Sequence, residues 1–327
     1  MSAKTTFAPQ LGGNVLRNDR TAAQSVAAAL DNCAAALQTP EMRHVARRVA
    51  ASGFRESDLA MLIDAAASRP ASAHRVIELR HSLGAEPLPA GMVETFLLLH
   101  TACRNRAALL RLGMGDGVLR CLADELRFLA APTPPDRAQL LAASHGFISM
   151  AKVVTMRRFP AGQLQFEPSA IPISWILRHE PRKMARLAMF LGRHLRGRGP
   201  VFFHHLAWRR KNRFMLVEKE QNRSYHRIAQ SLALKPNIKA LVTESWLHSP
   251  ETLRVSPHLA WLNKPFVECG GMIVELGDAS EANGVFTGSA ERRRLYEEGR
   301  FRPTTAMVIW PRAAMLDWAA NHTEFAD

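Results

Sequence analysis

The chain of 327 residues contains four cysteines, and no two of them are close together in the sequence. They are Cys33, Cys103, Cys121 and Cys269. The sequence has no CxxC pair and no Cys–His cluster with zinc spacing, which excludes the common structural zinc sites. We therefore expect reduced thiols that behave as small buried hydrophobic residues, a reducing compartment and no metal site.

The sequence also lacks a long apolar segment. Lys4, Arg17 and Asp19 interrupt the N-terminus, so the apolar core of a secretory signal is missing. The alanine-rich run 21–37 includes Asp31 and is too polar and too short to span a bilayer. These absences predict a cytoplasmic protein without a membrane span.

Acidic residues are scarce relative to basic ones. The sequence has 29 Asp and Glu against 43 Lys and Arg, which gives a formal net charge of +14. Such a charge attracts nucleic acid, anionic lipid, phosphorylated cofactors or an acidic protein, and it does not choose among them. Arginine exceeds lysine, which is typical of a GC-rich, bacterial genome.

The glycine motifs of several enzyme classes are missing. Gly197 and Gly199 precede a proline and predict a helix end, not a GxGxxG or GxxxxGKS/T loop. Ser245 lacks the flanking glycines of a GxSxG elbow. The sequence therefore excludes the usual dinucleotide-binding, P-loop and serine-hydrolase classes.

A helical pattern dominates the first half of the chain. Apolar residues between 21 and 130 recur at spacings of three and four, with breaks at glycine and proline. Pro40 is expected to end one helix or to begin the next. The prolines within 131–136 predict a stiff linker after this helical domain, and residues 1–20 predict a flexible leader.

Residues 137–327 alternate between strand and helix patterns and contain all six Trp and both Tyr. The predicted strands are 201–206, 240–246, 271–276 and 305–310, with a hairpin formed by 153–156 and 163–167. The predicted helices include 181–195, 218–234 and 289–298. We therefore predict an α/β protein, with mixed α+β as the alternative, in which a mixed-sheet C-terminal domain holds the functional site.

A polar cluster spans the connection between the strand 201–206 and the helix that follows it. His204 and His205 end the strand, and their side chains point to opposite faces. Glu218, Asn222 and Tyr225 share one face of the helix, because they are spaced at four and three. A histidine and a glutamate that meet at a strand end serve as base and orienting group, so we predict that His205, Glu218 and Tyr225 are catalytic.

Two alternatives to this catalytic interpretation remain open. One histidine is expected to be merely packed, because the two point to opposite faces of the strand. A metal-dependent oxygenase that uses His204 or His205 is the other, although the sequence does not name a third ligand.

A group of cations follows the same strand. These residues are Arg209, Arg210, Lys211 and Arg213. Since the guanidinium fork matches phosphate, we predict that they bind the phosphates of a cofactor. Together with the cations of the helix 181–195, they are also the predicted contact for nucleic acid or an acidic protein. The alternative is an ordinary solvated surface.

Substrate-binding residues are predicted where a second strand ends. Glu244, Ser245 and Trp246 follow the apolar run of the strand 240–246, and ligands of open α/β sheets bind beyond the carboxyl ends of strands. We assign these three residues and Asn222 to the substrate. The run of arginines 292–294 lies near several glutamates and predicts a salt-bridged helix surface instead.

From Val201 to Trp310 the order of elements resembles the second half of the GNAT acyltransferase superfamily: a strand, a helix, a strand, a helix and two closing strands. In that family the N-terminus of the first helix holds the pyrophosphate of coenzyme A. The family's Arg/Gln-x-x-Gly-x-Gly/Ala loop is absent here, and Arg209, Arg210 and Lys211 stand in its place.

The resemblance implies a transferase that takes a phosphate-bearing or carrier-bound acyl donor, either acyl-coenzyme A or an acyl carrier protein. The alternative is a basic interaction protein without enzymatic activity that binds nucleic acid or an acidic protein partner.

Overall fold

The computed structural model describes residues 20–68, 74–83, 88–132, 141, 144–177, 179–207, 216–282, 284–287 and 289–327. Helices fill the N-terminal half of this part of the chain, and a mixed sheet with helices forms the remainder. The predicted α/β class is therefore confirmed. Within the described residues, no helix combines the length and the apolar character needed to cross a membrane.

The N-terminal half is a set of packed helices. They are α1 (Arg20–Leu37), α2 (Pro40–Ala51), α3 (Glu56–Ser68), α4 (His74–Ser82), α5 (Met92–Arg104), α6 (Arg106–Leu109) and α7 (Asp116–Ala130). Pro40 is the first residue of α2, and the hydroxyl of Thr39 caps this helix by accepting from the Met42 amide at 3.4 Å. The expectation that Pro40 marks a helix boundary is confirmed.

The core of the helical half is built from aliphatic residues and includes a thiol. Leu30, Leu98 and Leu126 are completely buried there, and Cys33 lies beside them. Burial, followed by the nearby Cys103, raises the pKa of the Cys33 thiol to about 12, so it stays protonated at neutral pH. None of the four cysteines, all of which lie within the described residues, forms a disulfide.

The second half contains a sheet and the helices that cover it. The strands are β1 (Phe159–Pro160), β2 (Leu164–Ser169), β3 (Val201–Leu206), β4 (Ala240–Ser245), β5 (Met272–Asp278) and β6 (Thr304–Pro311). The helices are α8 (Ser144–Val154), α9 (Ile173–Leu177), α10 (Pro181–Leu195), α11 (Glu218–Leu234), α12 (Pro250–Val255), α13 (Lys264–Glu268), α14 (Ala290–Glu297) and α15 (Arg312–Asn321). Short 3₁₀ turns occur at Trp246–His248, Pro257–Leu262 and Thr323–Phe325.

The strand order in the described sheet is β1-β2-β3-β4-β6-β5. The pair β3–β4 is parallel, and every other neighbouring pair is antiparallel. The strands predicted at 201–206, 240–246, 271–276 and 305–310 are thus confirmed with small changes at their ends, as are α10 and α11.

The predicted hairpin is wrong in its first strand. Val153 and Val154 complete α8, where both side chains are buried in the core of the helical half. The partner of β2 is instead β1, which pairs Phe159 with Phe166. β-branched residues favour a strand locally, but burial against the N-terminal helices decides the outcome here.

Different helices cover the two faces of the sheet. On the first face, α11 and α15 pack over Phe166 and Trp310, which are completely buried. On the second face, the leucines of α10 pack against Val242 and Ile309. Because side chains alternate along a strand, neighbouring residues of β3 and β4 belong to different faces.

Helix α8 joins the two halves although it follows the proline-rich segment. Phe147 and Met150 belong to the core of the N-terminal helices. On the side toward the sheet, the Ser149 hydroxyl donates to Oε1 of Gln165 in β2 at 2.8 Å. Residues 133–136 of the predicted linker and 1–19 of the predicted leader lie outside the described residues.

A second contact between the halves requires a glycine. The amide of Gly115, just before α7, donates to the Ser231 hydroxyl of α11 at 3.1 Å. A β-carbon at position 115 would lie 2.7 Å from the β-carbon of Gln230. The close approach of α7 and α11 therefore depends on the missing side chain.

Candidate functional site

The parallel pair β3–β4 is joined over a short length. The ladder contains the register pairs Phe202–Leu241 and Phe203–Val242, although both strands continue beyond them. The next link is made by a side chain, because the Thr243 hydroxyl donates to the carbonyl of His204 at 3.1 Å. The carboxyl ends of these two strands therefore form an edge at which the backbone ladder has already ended, and we call it the β3–β4 edge.

His204 lies at this edge on the first face of the sheet. Its side chain is 3% exposed, and among the described residues neither ring nitrogen has a hydrogen-bond partner. Burial lowers the pKa of His204 well below its ordinary value, and the neighbouring His248 and His205 lower it further. The imidazole is therefore neutral at pH 7 and carries one nitrogen that can accept a proton.

Tyr225 of α11 faces His204. Their ring centroids are 5.8 Å apart in an edge-on arrangement, and the tyrosine is completely buried between Phe266 and Trp310. The Tyr225 hydroxyl accepts a hydrogen bond from Nε2 of Gln221 at 2.9 Å, and burial raises its pKa. Oε1 of Gln221 is buried and has no partner among the described residues, so this interior has unused hydrogen-bonding capacity.

A second buried histidine follows β4. His248 is held by Asn263, since its Nδ1–H donates to Oδ1 of Asn263 at 2.7 Å and Nδ2 of Asn263 donates to the His248 carbonyl at 3.1 Å. Burial lowers the pKa of His248 to about 4, although the Asn263 contact acts in the opposite direction. The β3–β4 edge thus contains two neutral imidazoles and a protonated phenol.

The predicted catalytic residues do not all meet. Tyr225 is buried on the first face of the sheet, whereas His205 points to the second face, where it lies against Phe203. Glu218 is exposed in the first turn of α11. The structure therefore brings His204, and not His205, to Tyr225.

His205 belongs to a half-buried ionic cluster on the second face. Its Nε2 lies 3.3 Å from Glu167, whose carboxylate also pairs with Lys152 at 3.0 Å and Arg158 at 2.9 Å. Burial by itself would raise the pKa of Glu167, but His205, Arg158 and Lys152 together hold it well below its ordinary range. Because Lys152 lies in α8 and Glu167 in β2, the cluster holds α8 against the sheet, and we assign it a structural role.

The predicted substrate residues lie at the β3–β4 edge. Asn222 is buried in the first turns of α11, Glu244 is exposed, and Ser245 and Trp246 are half-buried. The hydroxyl of Ser245 accepts from the amide of Leu247 at 3.2 Å and so caps the turn that follows β4. This bond gives Ser245 a structural role as well.

The predicted cofactor residues Arg209, Arg210, Lys211 and Arg213 lie outside the described residues. They belong to the connection between the end of β3 and the start of α11. The first turn of α11 carries Glu218 and Glu220 on either side of Lys219, so acidic side chains outnumber the single cation there.

No family model matches the chain, and no similar protein was found among curated proteins or solved structures. Within the described part of the chain, no group of three or more His, Cys, Asp or Glu side chains is arranged to hold a metal ion.

Sequence reasoning missed several residues of the β3–β4 edge. Gln221, His248 and Asn263 carry no motif, and the sequence prediction gives the catalytic role to His205 without deciding which histidine is packed. The alternation of β3 separates His204 from His205, but only the position of α11 shows which of the two faces Tyr225. Tertiary packing supplies that information.

Proposed function

We propose that the protein is a transferase that takes an acyl group from a phosphate-bearing or carrier-bound donor. The observation that carries this proposal is the early end of the β3–β4 ladder beside two neutral histidines. Ligands of open α/β sheets enter at the carboxyl ends of parallel strands. In this proposal the thioester of coenzyme A or of an acyl carrier protein enters at this edge.

The residues at the edge supply both proton transfers of an acyl transfer. The acceptor amine or hydroxyl attacks the thioester carbonyl carbon while the unprotonated ring nitrogen of His204 takes its proton. The carbon–sulfur bond then breaks, and the sulfur takes the hydroxyl proton of Tyr225. The proton held by His204 returns to Tyr225, so the protein is restored and no charge is left over.

The remaining predicted residues have supporting roles in this proposal. In this proposal Arg209, Arg210, Lys211 and Arg213, which come within seven residues after the end of β3 in the sequence, hold the phosphates of the donor. Glu218 and Asn222, at the start of α11, orient the acceptor.

Thermal unfolding with coenzyme A, acetyl-coenzyme A and a long-chain acyl-coenzyme A tests donor binding. A ligand at a hundred times its dissociation constant stabilises the folded state by about 2.7 kcal/mol, which shifts the midpoint visibly. We expect a shift that persists at high salt, and a weaker shift for Arg209→Ala than for the exposed control Arg254→Ala. The absence of a shift with every donor would overturn the proposal.

The release of free thiol from the acyl donor tests the chemistry. Tyr225→Phe removes one hydroxyl from the buried ring and should lower the rate at least tenfold, since it removes the general acid. Tyr296→Phe is the matched control, because Tyr296 is the other tyrosine of the chain and is 41% exposed. Equal rates for the two variants would remove Tyr225 from the mechanism.

A basic interaction protein is the second candidate, and one feature favours it. Arg182, Arg186 and Arg193 are exposed on the outer side of α10, and none of them forms an ion pair with a described residue. The leucines of α10 are buried against the sheet, so this helix cannot insert its apolar face into a membrane. A nucleic-acid backbone fits such a cationic row better than a lipid surface does.

Anisotropy of a labelled DNA oligonucleotide tests this second candidate. Replacing Arg182, Arg186 and Arg193 together with glutamine should reduce the slope of log affinity against log salt by about three, since each phosphate contact contributes about 0.9. The same change at Arg254, Arg294 and Arg300 is the control. An unchanged salt slope in the α10 variant would exclude these three arginines as the DNA-binding surface. If the protein binds acidic proteins and not DNA, an acidic protein is the partner instead.

A further inference from the structure

The three consecutive arginines of α14 have different environments. Arg293 and Arg294 are exposed, whereas Arg292 is only 7% exposed. Arg292 lies in the small core formed by Val285, Leu295 and neighbouring side chains next to the end of β4. The predicted salt-bridged surface therefore describes Arg294 but not Arg292.

Among the described residues, the Arg292 guanidinium contacts only neutral groups. Nε donates to the carbonyl of Val285 at 2.6 Å, and one terminal nitrogen donates to the Ser256 hydroxyl at 3.3 Å. The centre of the guanidinium lies 5.0 Å from the ring centre of Trp246. These contacts fix the plane of the guanidinium and its position over the indole.

The carboxylates closest in sequence are engaged by a different arginine. Glu291 and Glu298 both pair with Arg294 on the outer surface of α14. Among the described residues, no carboxylate lies within ion-pair distance of Arg292. Burial accordingly lowers the pKa of Arg292, because its charge is desolvated without a counter-charge.

A buried charge without a partner is costly, and proteins normally compensate it. A guanidinium has five N–H donors, and the contacts described above use two of them. The remaining donors have the geometry that binds two oxygens of a carboxylate or a phosphate. Trp246 follows β4 directly, so this guanidinium lies at the same end of the sheet as the β3–β4 edge.

We infer that Arg292, held over Trp246, is a binding site for the carboxylate or phosphate group of a small anionic ligand. The inference rests on burial and contacts and does not depend on acyl transfer. Free oxyanions and anionic groups of a larger substrate share this chemistry, so inorganic phosphate and acetate are suitable probes. If the protein transfers an acyl group, the acceptor carries an anionic substituent and Arg292 binds that substituent.

Phosphate and acetate are titrated against the full chain at constant ionic strength, with chloride as the balancing ion. We expect the unfolding midpoint to rise in a saturable way, and Arg292→Lys to weaken the apparent affinity at least tenfold, because lysine keeps the charge but loses the fork. Arg293→Lys, one position away and exposed, should bind like the wild type. Equal binding by all three proteins would overturn the inference.

A measurement on the wild-type protein keeps the test valid if Arg292→Lys does not fold. In a sample labelled with ¹⁵N-arginine, the Nε–H resonance of Arg292 is assigned through its proximity to the Trp246 ring. Saturable movement of this resonance with phosphate, and not with chloride, supports the site. A resonance that does not move while the midpoint rises would place the anion elsewhere, and a midpoint that does not rise would exclude an anion site.

Discussion

The buried histidine His248 should make the protein sensitive to acid. His248 is 4% exposed, and burial lowers its pKa from 6.5 to about 4. In the unfolded chain the ring is solvated and titrates at its ordinary value. Between these two values the unfolded state binds more protons than the folded state, so the free energy of unfolding falls as the pH falls.

The size of this effect follows from the two pKa values. The difference between 6.5 and about 4 corresponds to about 3 kcal/mol of unfolding free energy. The loss begins near pH 6.5 and is complete near pH 4. The pKa of His204 is displaced in the same direction, so this histidine increases the loss.

Urea unfolding followed by circular dichroism between pH 7 and pH 4.5 measures the effect. His248→Gln removes the titrating ring, so its unfolding free energy should depend less steeply on pH than that of the wild type. His258→Gln, an exposed histidine, is the control and should follow the wild type. The carboxylates titrate in all three proteins, so the difference between the curves isolates His248. Parallel curves for wild type and His248→Gln would refute this reasoning.

Two further pairs of variants test the packing between the halves. Gly115→Ala should lower the unfolding free energy by about 1–3 kcal/mol because the new methyl group overlaps Gln230, whereas Gly192→Ala, in the open interior of α10, should raise it by about 0.5–1 kcal/mol. A higher unfolding free energy for both Gly115→Ala and Gly192→Ala would show that α7 and α11 move apart without cost. Glu167→Gln should lower the unfolding free energy by about 2–3 kcal/mol because it leaves two half-buried cations without their carboxylate, whereas the exposed Glu291→Gln should leave it nearly unchanged. Chemical denaturation measures all four, and an equal cost for the two glutamates would contradict the role of the cluster.

Local sequence patterns predicted the elements of the sheet well. β3 and α11 have the predicted bounds because a short apolar run and a long helical period are strong signals in these segments. The first strand of the hairpin failed because Val153 and Val154 carry a strand signal but lie under the N-terminal helices. Packing between distant segments decides such cases.

The site was less predictable than the fold. The rule that ligands bind at strand ends assigns Ser245 and Trp246 to the substrate, and the shared helix face with Tyr225 assigns Asn222; these assignments stay predictions. His248 and Asn263 could not be found, because their contact joins two irregular segments fifteen positions apart and follows no period. The predicted salt-bridged surface is wrong for Arg292. Sequence spacing suggests the nearby glutamates as its partners, but in the helix Glu291 and Glu298 form ion pairs with Arg294.

The position of α8 determines how the chain behaves when it is cut. Cleavage between Pro132 and Ser144 would leave α8 on the C-terminal fragment, while its apolar side chains fill the core of the N-terminal one. Neither fragment would then be complete, since one would have an open cavity and the other an exposed apolar helix. A nicked molecule should therefore stay together and melt in a single transition, and separately expressed fragments should recover their structure only when they are mixed.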